Sequence, residues 1–140
     1  MITYDSSIVT ATGNGEVLLY VDGTNVTNPY TLGEDTEDTA HIITATAQES
    51  YKAISNEATM IILNFTEFEE GGIKYSVNND KTSVSVVANN PVYSGDISIP
   101  NSVNHAGVIF KVTSIGNYAF RSCSGLTSIE LPDSVTTIGN

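Results

Sequence analysis

Two nearly identical hexapeptides occur in the second half of the chain, VTSIGN at Val112–Asn117 and VTTIGN at Val135–Asn140. A second pair of similar segments consists of ISIPNSV at Ile97–Val103 and IELPDSV at Ile129–Val135. The separation between the members of the second pair is nine residues longer than that between the two hexapeptides. The nine additional residues are NHAGVIFKV at Asn104–Val112, which we interpret as a hairpin-like insertion in the first copy. The regular offset from Val112 to Val135 is within the range of periods that stacked repeat proteins show. The sequence therefore predicts the first coils of a solenoid that has been cut.

One coil of this array is predicted to bury a small apolar core. Spacings of four residues predict a short helix with its apolar face inward, and alternation after it predicts a strand. Pro132 ends that strand because proline cannot donate to a ladder. Neither element can bury its apolar face alone, so stacking on a neighbouring coil would stabilise it. The predicted repeat core comprises Ile115, Ala119, Phe120, Cys123, Leu126, Ile129 and Leu131.

The first half of the chain is predicted to form strands. IVTATG at Ile8–Gly13 alternates apolar and polar residues and runs into Asn14-Gly15, a pair typical of a tight hairpin turn. A second turn of the same chemistry follows at Asp22-Gly23. His41–Gln48 and Glu57–Phe65 are rich in β-branched residues. No helical period is sustained, so we predict a small antiparallel sandwich.

The distribution of charge suggests a division into two domains. The chain of 140 residues has a net charge of −11, with nine acidic residues and one basic residue in 1–66 and seven acidic and four basic residues in 67–140. Between them lies NFTEFEEGG at Asn64–Gly72, a solvated stretch that ends in two glycines. We therefore predict domains at 1–66 and 67–140, with a flexible hinge at Glu69–Gly72.

Composition also argues against several classes of partner. Sixteen acidic residues against five basic ones make a nucleic-acid-binding surface improbable. The longest apolar run, Val17–Val21, is too short to insert directly into a membrane. The residues after Met1 lack the basic start and apolar segment of a leader, so we expect any leader to be absent from this chain.

Two stretches resemble known families. Residues 3–66, with ATGNGEVLLYVDGTNVTNPYTL followed by HIITATAQESYKAISNEAT, resemble the immunoglobulin-like modules of bacterial surface proteins that are related to the C-terminal domain of chitobiases and hexosaminidases. IGNYAFRSCSGLTSIELPDSVTTIGN resembles the BspA-like leucine-rich repeats. The residues before it, from Ile73, resemble the N-terminal β-cap of such arrays, with Ile73–Val77 and Ser83–Ala88 forming a hairpin across Asn78-Asn79-Asp80.

The resemblances imply a mainly β fold. It would consist of a small antiparallel immunoglobulin-like β-sandwich, then a β-cap and the first coils of a leucine-rich repeat solenoid with short helices. They also imply an extracellular or cell-surface protein of bacteria that live with a host.

Candidate catalytic residues are few. Cys123 could be a nucleophile, but we place it on the inward face of the predicted helix, where a cysteine is inert. His41 and His105 lie in different predicted domains and have no Cys or His at ligand spacing, which argues against zinc. No sequence resembles a nucleophile elbow. We therefore predict no enzyme activity and no cofactor.

Two sets of residues are candidates for ligand binding. The acidic segment GEDTEDT could supply calcium ligands from Glu34, Asp35, Glu37 and Asp38, although its spacing is not that of an EF-hand and acidic loops are usually solvated. Six tyrosines could form a sugar-stacking platform, although strand tyrosines are more often half-buried partners across a sheet. They are Tyr20, Tyr30, Tyr51, Tyr75, Tyr93 and Tyr118.

Two functions remain open. The first is a non-catalytic surface or secreted interaction module, which binds a host or bacterial surface protein, or a glycan, through the repeat array and so serves adhesion or ligand binding. The alternative is an accessory spacer or glycan-binding region of a larger carbohydrate-active enzyme. We also expect self-association through the uncapped C-terminal end, because an unpaired coil exposes an apolar surface and a strand edge.

Overall fold

The computed structural model describes residues 1–5, 7–13, 16–48 and 56–140. Its regular elements are all strands, so no short helix forms in the repeats, contrary to the prediction, and none of the described residues belongs to a helix able to cross a membrane. The chain is therefore mainly β. The strands are β1 Ile2–Asp5, β2 Ile8–Ala11, β3 Glu16–Val21, β4 Thr24–Val26, β5 Tyr30–Thr31, β6 Ala40–Gln48, β7 Asn56–Leu63, β8 Glu67–Glu70, β9 Ile73–Val77, β10 Ser83–Val86, β11 Gly95–Ser98, β12 Ser102–His105, β13 Val108–Ile115, β14 Leu126–Glu130 and β15 Thr137–Ile138.

The strands fall into two compact units, Met1–Asn64 and Phe65–Asn140. In the first unit, β1, β2 and β5 form one antiparallel sheet in the order β1-β2-β5. The strands β4, β3, β6 and β7 form a second antiparallel sheet in that order. Buried side chains of both sheets and of Leu32, which follows β5, make one cluster, which comprises Ile2, Val9, Ala11, Leu19, Val21, Leu32, Ile43, Ala45 and Ile62.

The two turns predicted in the first unit have different outcomes. Asp22 and Gly23 have φ values of 51° and 79° and join the paired strands β3 and β4, so this two-residue hairpin turn is confirmed. The hairpin predicted across Asn14-Gly15 is wrong, because β2 and β3 belong to different sheets. Asn14 and Gly15 themselves lie outside the described residues.

The second unit is built on a sheet in the order β12-β13-β10-β9-β8, with β15 also paired to β13. The predicted cap hairpin is confirmed, because β9 and β10 pair antiparallel with Val84 opposite Val77. The predicted nine-residue insertion is also a hairpin, in which β12 and β13 pair antiparallel. Its turn residues Ala106 and Gly107 have positive φ values of 50° and 77°, which suit a tight turn.

The segment predicted as a flexible hinge has a different structure. Glu69 and Glu70 lie in β8, and Gly71-Gly72 forms the turn that joins β8 to the antiparallel strand β9. Both glycines have positive φ values, of 58° and 77°, which glycine adopts without steric cost. Phe68, one strand position earlier, is buried. Gly-Gly therefore closes a hairpin inside the second unit and does not link the two units.

The core of the second unit is rich in aromatic rings. Phe68 and Phe110 approach with ring centroids 5.5 Å apart, and Phe65 meets Phe110 edge-on at 6.2 Å. His105, at the end of β12, stacks flat on Phe68 at 4.2 Å, and its Nδ1 bonds the Glu70 carboxylate at 2.9 Å. These contacts hold the inserted hairpin against β8, because aromatic pairs add attraction beyond their buried area.

Candidate functional site: the stacked strands of the second unit

The repeated hexapeptides lie side by side in parallel register. Ile138 of β15 pairs with Ile115 of β13, the residue at the same position of the preceding hexapeptide. The Thr136 amide donates to the Thr113 carbonyl at 2.9 Å, and the Gly139 amide donates to the Ile115 carbonyl at 2.8 Å. Equivalent residues of consecutive copies are therefore direct neighbours in a parallel ladder.

The second pair of repeated segments forms a separate two-stranded parallel sheet. Ile97 of β11 pairs with Ile129 of β14, and these are the first residues of the two repeated segments. The ladder is extended beyond β11 by the Ile99 amide, which donates to the Glu130 carbonyl at 3.0 Å. The nine additional residues lie in the β12–β13 hairpin, so the insertion leaves the strand register of the two copies intact.

The recurrence of glycine in the two hexapeptides has a steric cause. The Gly116 amide donates to the Val86 carbonyl at 2.8 Å, and a Cβ at Gly116 would lie 3.1 Å from that oxygen. A Cβ at Gly139 would lie 2.7 Å from the backbone nitrogen of Asn117 and closer still to its side-chain Oδ1. That Oδ1 accepts from the Asn140 amide at 3.0 Å. Each glycine therefore lies where its backbone packs closely on another backbone, that of β10 for Gly116 and that of the preceding hexapeptide for Gly139.

The segment between β13 and β14 is a chain of turns and not the predicted helix. The Ala119 amide donates to the Gly116 carbonyl and the Leu126 amide donates to the Cys123 carbonyl, both three residues back. Tyr118 and Ser122 have positive φ values of 58° and 63°. A left-handed residue interrupts an α-helix, so the spacing of four residues among the apolar side chains does not place them on a helical face.

The structure distributes the seven predicted repeat-core residues over several environments. Ile115 and Ala119 are buried, with 5% and 3% of their surface exposed. Leu131 is 45% exposed. The remaining four, Phe120, Cys123, Leu126 and Ile129, are half-buried. Ile115, Ala119 and Phe120 line a cavity of about 320 Å³ together with Ile138 of the next copy.

An exposed row of polar groups crosses the β11–β14 sheet. The Asp96 carboxylate accepts from the Thr127 hydroxyl at 2.6 Å and from the Ser128 hydroxyl at 2.7 Å. These donors hold the pKa of the Asp96 carboxyl below its usual value, so it stays ionised. Ser98 donates to the Glu130 carboxylate at 3.2 Å. We did not predict this row, although aligning the two repeated segments places Asp96 opposite Ser128 and could have indicated it.

A second polar ladder ties the cap hairpin to β13. Asn78, just after β9, donates from Nδ2 to the Ser83 hydroxyl at 2.8 Å and to the Thr113 hydroxyl at 3.2 Å. Its Oδ1 accepts from the Ser85 hydroxyl at 2.7 Å. One amide thus joins three elements, β9, β10 and β13, through their side chains. Cooperative bonding of this kind specifies a single strand arrangement.

Both ends of that ladder have further partners. The Asp80 carboxylate accepts from the Thr82 and Ser83 amides and from the Ser83 hydroxyl at 2.7 Å. These hydrogen bonds hold the pKa of Asp80 below its usual value, and the bond from the Thr82 amide has the largest effect. The hydroxyls of Ser85 and Ser114 lie 2.5 Å apart. The Asp80 carboxylate therefore stabilises the turn of the cap hairpin by bonding the amides of Thr82 and Ser83, as aspartate often does in turns.

The other candidate residues do not converge on one centre. The Cys123 thiol donates to the Arg121 carbonyl at 3.7 Å, and the residue is half-buried and not buried as predicted. Among the acidic candidates between β5 and β6, Asp35 bonds Nε2 of His41 at 3.1 Å. Nowhere in the described ranges do three or more His, Cys, Asp or Glu side chains gather as a metal site would require.

One of the six candidate tyrosines, Tyr51, lies outside the described residues, and the other five differ in burial. Tyr75 is buried, which raises its pKa to about 12. Tyr93 is also buried, and its hydroxyl donates to the Val87 carbonyl at 2.7 Å while accepting from the Lys74 amide at 3.0 Å. In contrast, Tyr118 is exposed beside the Arg121 guanidinium, and the remaining two, Tyr20 and Tyr30, are half-buried.

The parallel register of the two copies can now be compared with known families. Residues 96–140 match the family described as BspA type Leucine rich repeat region (6 copies). The match covers the β13–β15 pair, the β11–β14 pair from Asp96 onward and the turns between them. It supports a repeat organisation of this segment.

A solved structure of a leucine rich cell surface protein from Faecalibacterium prausnitzii A2-165 is similar to this chain at 28% sequence identity and a TM-score of 0.45. The similarity covers 53% of this chain and 19% of that protein, so the chain spans less than a fifth of its length. No curated protein matches the chain.

Proposed function

We propose that this chain is a non-catalytic surface or secreted interaction module. In this proposal the second unit supplies an N-terminal β-cap and the first coils of a leucine-rich repeat array, and the first unit forms an immunoglobulin-like spacer. The supporting observation is that the repeat-family match falls on residues 96–140, where β13–β15 and β11–β14 stack equivalent residues in parallel. Repeat arrays present extended surfaces to partners.

The exposed face of β11 and β14 is the surface to which we assign binding. Asp96 and Glu130 carry negative charge there, and Thr127 and Ser128 add hydroxyl groups. Such a face suits a surface protein with basic side chains, because complementary charge attracts and orients a partner. A glycan is the other ligand class that hydroxyl and carboxylate groups recognise.

A non-catalytic role agrees with the partners of the candidate catalytic groups. The Cys123 thiol bonds a backbone carbonyl, and both ring nitrogens of His41 bond carboxylates. Neither arrangement places a base beside a nucleophile, as covalent catalysis requires.

The test is binding of the fluorescently labelled chain to host epithelial cells and to bacterial cells. We expect saturable binding that excess unlabelled chain competes away and that Asp96→Ala combined with Thr127→Ala reduces at least tenfold. Asp133→Ala is the matched control, because it removes one exposed charge outside the strands.

Two treatments of the cells distinguish the ligand classes. Loss of binding after protease treatment supports a protein ligand, whereas loss only after periodate oxidation supports the glycan alternative. Binding that the double variant retains, or no saturable binding to either cell type, refutes the assignment of the face.

A further inference from the structure

His41 lies at the start of β6, and both of its ring nitrogens face carboxylates. Nδ1 is 2.7 Å from Oδ2 of Asp22, in the β3–β4 turn, and Nε2 is 3.1 Å from Oδ2 of Asp35, in the segment between β5 and β6. The other oxygen of Asp22 accepts from the Ile42 amide at 2.8 Å. The side chain of His41 is 17% exposed. One imidazole thus joins three separate parts of the first unit.

The chemistry of these groups determines the protonation state. An ionised carboxylate accepts hydrogen bonds and cannot donate them, so both nitrogens of His41 must carry a hydrogen. Only the imidazolium satisfies both contacts. Partial burial acts to lower the pKa of His41, but the hydrogen bonds and negative charges of Asp22 and Asp35 outweigh it and raise this pKa above its usual value. On the neighbouring strand β7, the residue paired with His41 is the apolar Ile62.

We propose that Asp22, His41 and Asp35 form a pH-sensitive clamp. It holds Gly33–Thr36, the first four residues of the acidic segment, against the sheet and releases them as the pH rises. When the imidazolium loses a proton, only one nitrogen can remain a donor. Nδ1 keeps its hydrogen, because its contact with Asp22 is shorter and Asp22 is fixed by the Ile42 amide. Nε2 then presents a lone pair to the Asp35 carboxylate, and that contact becomes repulsive.

The extent of the released segment follows from bonds that do not titrate with His41. Before it, the buried Leu32 donates its amide to the Ser7 carbonyl at 2.8 Å. After it, the Asn64 side chain donates to the Glu37 carbonyl at 2.8 Å and accepts from the Thr39 amide at 2.8 Å. Between these two anchors, Asp35 joins the chain to His41. The release therefore affects a short loop and leaves β5 and β6 in place.

The direction of the pH dependence follows from linkage. A histidine whose pKa is higher in the folded protein than in the unfolded chain stabilises the fold fully below the unfolded value of about 6.5. That stabilisation is lost as the pH rises through the folded-state pKa. The clamp is therefore closed in mildly acidic solution and opens on the alkaline side, where it frees the Asp35 carboxylate for contact with a basic partner.

The experiment uses the full chain and nuclear magnetic resonance between pH 5 and pH 9. We expect the ring protons of His41 to titrate above 6.5 and the amide signals of Asp35 and Thr36 to shift with the same midpoint.

Two variants make the result decisive. Asp35→Asn supplies an amide that can accept from the charged ring or donate to the neutral ring, so the pH dependence of the segment should disappear while the pKa of His41 falls. His105→Gln should leave both titrations unchanged. A His41 pKa at or below 6.5 overturns the proposal. Segment amides that ignore the His41 midpoint, or that keep their pH dependence in Asp35→Asn, also overturn it.

Discussion

Replacing Asn78 by alanine should destabilise the second unit by about 2 kcal/mol, because each hydrogen bond that is lost contributes about 0.5–1.5 kcal/mol net. The substitution removes three side-chain hydrogen bonds, to Ser83, Ser85 and Thr113. The expected loss of stability is smaller than the upper end of that range for three bonds, because the Ser83 hydroxyl keeps its bond to Asp80 and is not left unsatisfied.

Urea unfolding tests this value. We expect the midpoint of the second unit to fall by roughly 1 M, since the dependence of unfolding free energy on urea is about 1–3 kcal/mol per M for small proteins. Because the chain has no tryptophan, hydrogen exchange of peptides from β9 and β10 should report the transition. The matched control is Asn79→Ala, an exposed neighbour in the same turn, which should change stability by less than about 0.5 kcal/mol.

Equal shifts for Asn78→Ala and Asn79→Ala would show that the amide ladder contributes nothing specific. A loss below about 0.5 kcal/mol for Asn78→Ala would show that water replaces its bonds without penalty.

Three further predictions concern single residues of the second unit. Phe110→Ala should cost about 3–5 kcal/mol by opening a cavity at a residue with 0% exposure, whereas Ile109→Ala next to it, 68% exposed, should cost less than about 0.5 kcal/mol in the same urea assay. In an ultraviolet titration of phenolate, Tyr75 should ionise near pH 12. The second unit should lose stability as the pH rises from about 10, because tyrosine ionises at a lower pH in the unfolded chain than in the folded one. Complete phenolate formation by pH 11 without unfolding would contradict this. The half-buried Cys123 should react with a small thiol reagent in the folded chain, more slowly than in urea, and complete protection would show that the turn around it is closed.

Strand pairing in the second unit was largely predictable because it follows repetition in the sequence. The offsets between the two pairs of repeated segments became the registers of Ile115 with Ile138 and of Ile97 with Ile129. Equivalent residues stack in a repeat, so aligning the copies also aligns the strands. The position of the inserted hairpin followed from the same alignment.

Turn chemistry was less predictable, because one dipeptide serves several geometries. Gly71-Gly72 looked like a hinge but closes a hairpin, whereas Asn14-Gly15 looked like a hairpin turn but separates strands of two different sheets. The predicted repeat helix failed because spacing alone carries no information on φ, and Tyr118 adopts a positive value.

The polar cluster around His41 could not be derived from local sequence. Asp22 lies in the β3–β4 turn, Asp35 between β5 and β6, and His41 in β6. The antiparallel pairing of β3 with β6 brings Asp22 close to His41. The acidic segment predicted as a calcium candidate contains one of these residues. Its partner is a histidine of the adjoining strand, which no metal-ligand spacing would have indicated.

Both β12, the first strand of the inserted hairpin, and β15 pair with β13 along the same edge of that strand. Lys111 pairs with Ser102 of β12, and Ser114 pairs with Thr137 of β15, so the hairpin occupies one stretch of that edge and the next copy occupies the following stretch. The pairing of β15 with β13 therefore does not depend on the length of the hairpin. A peptide grafted between Ala106 and Gly107 should lengthen the hairpin without changing the register of β15 on β13, which makes the tip a suitable place for displaying a foreign epitope.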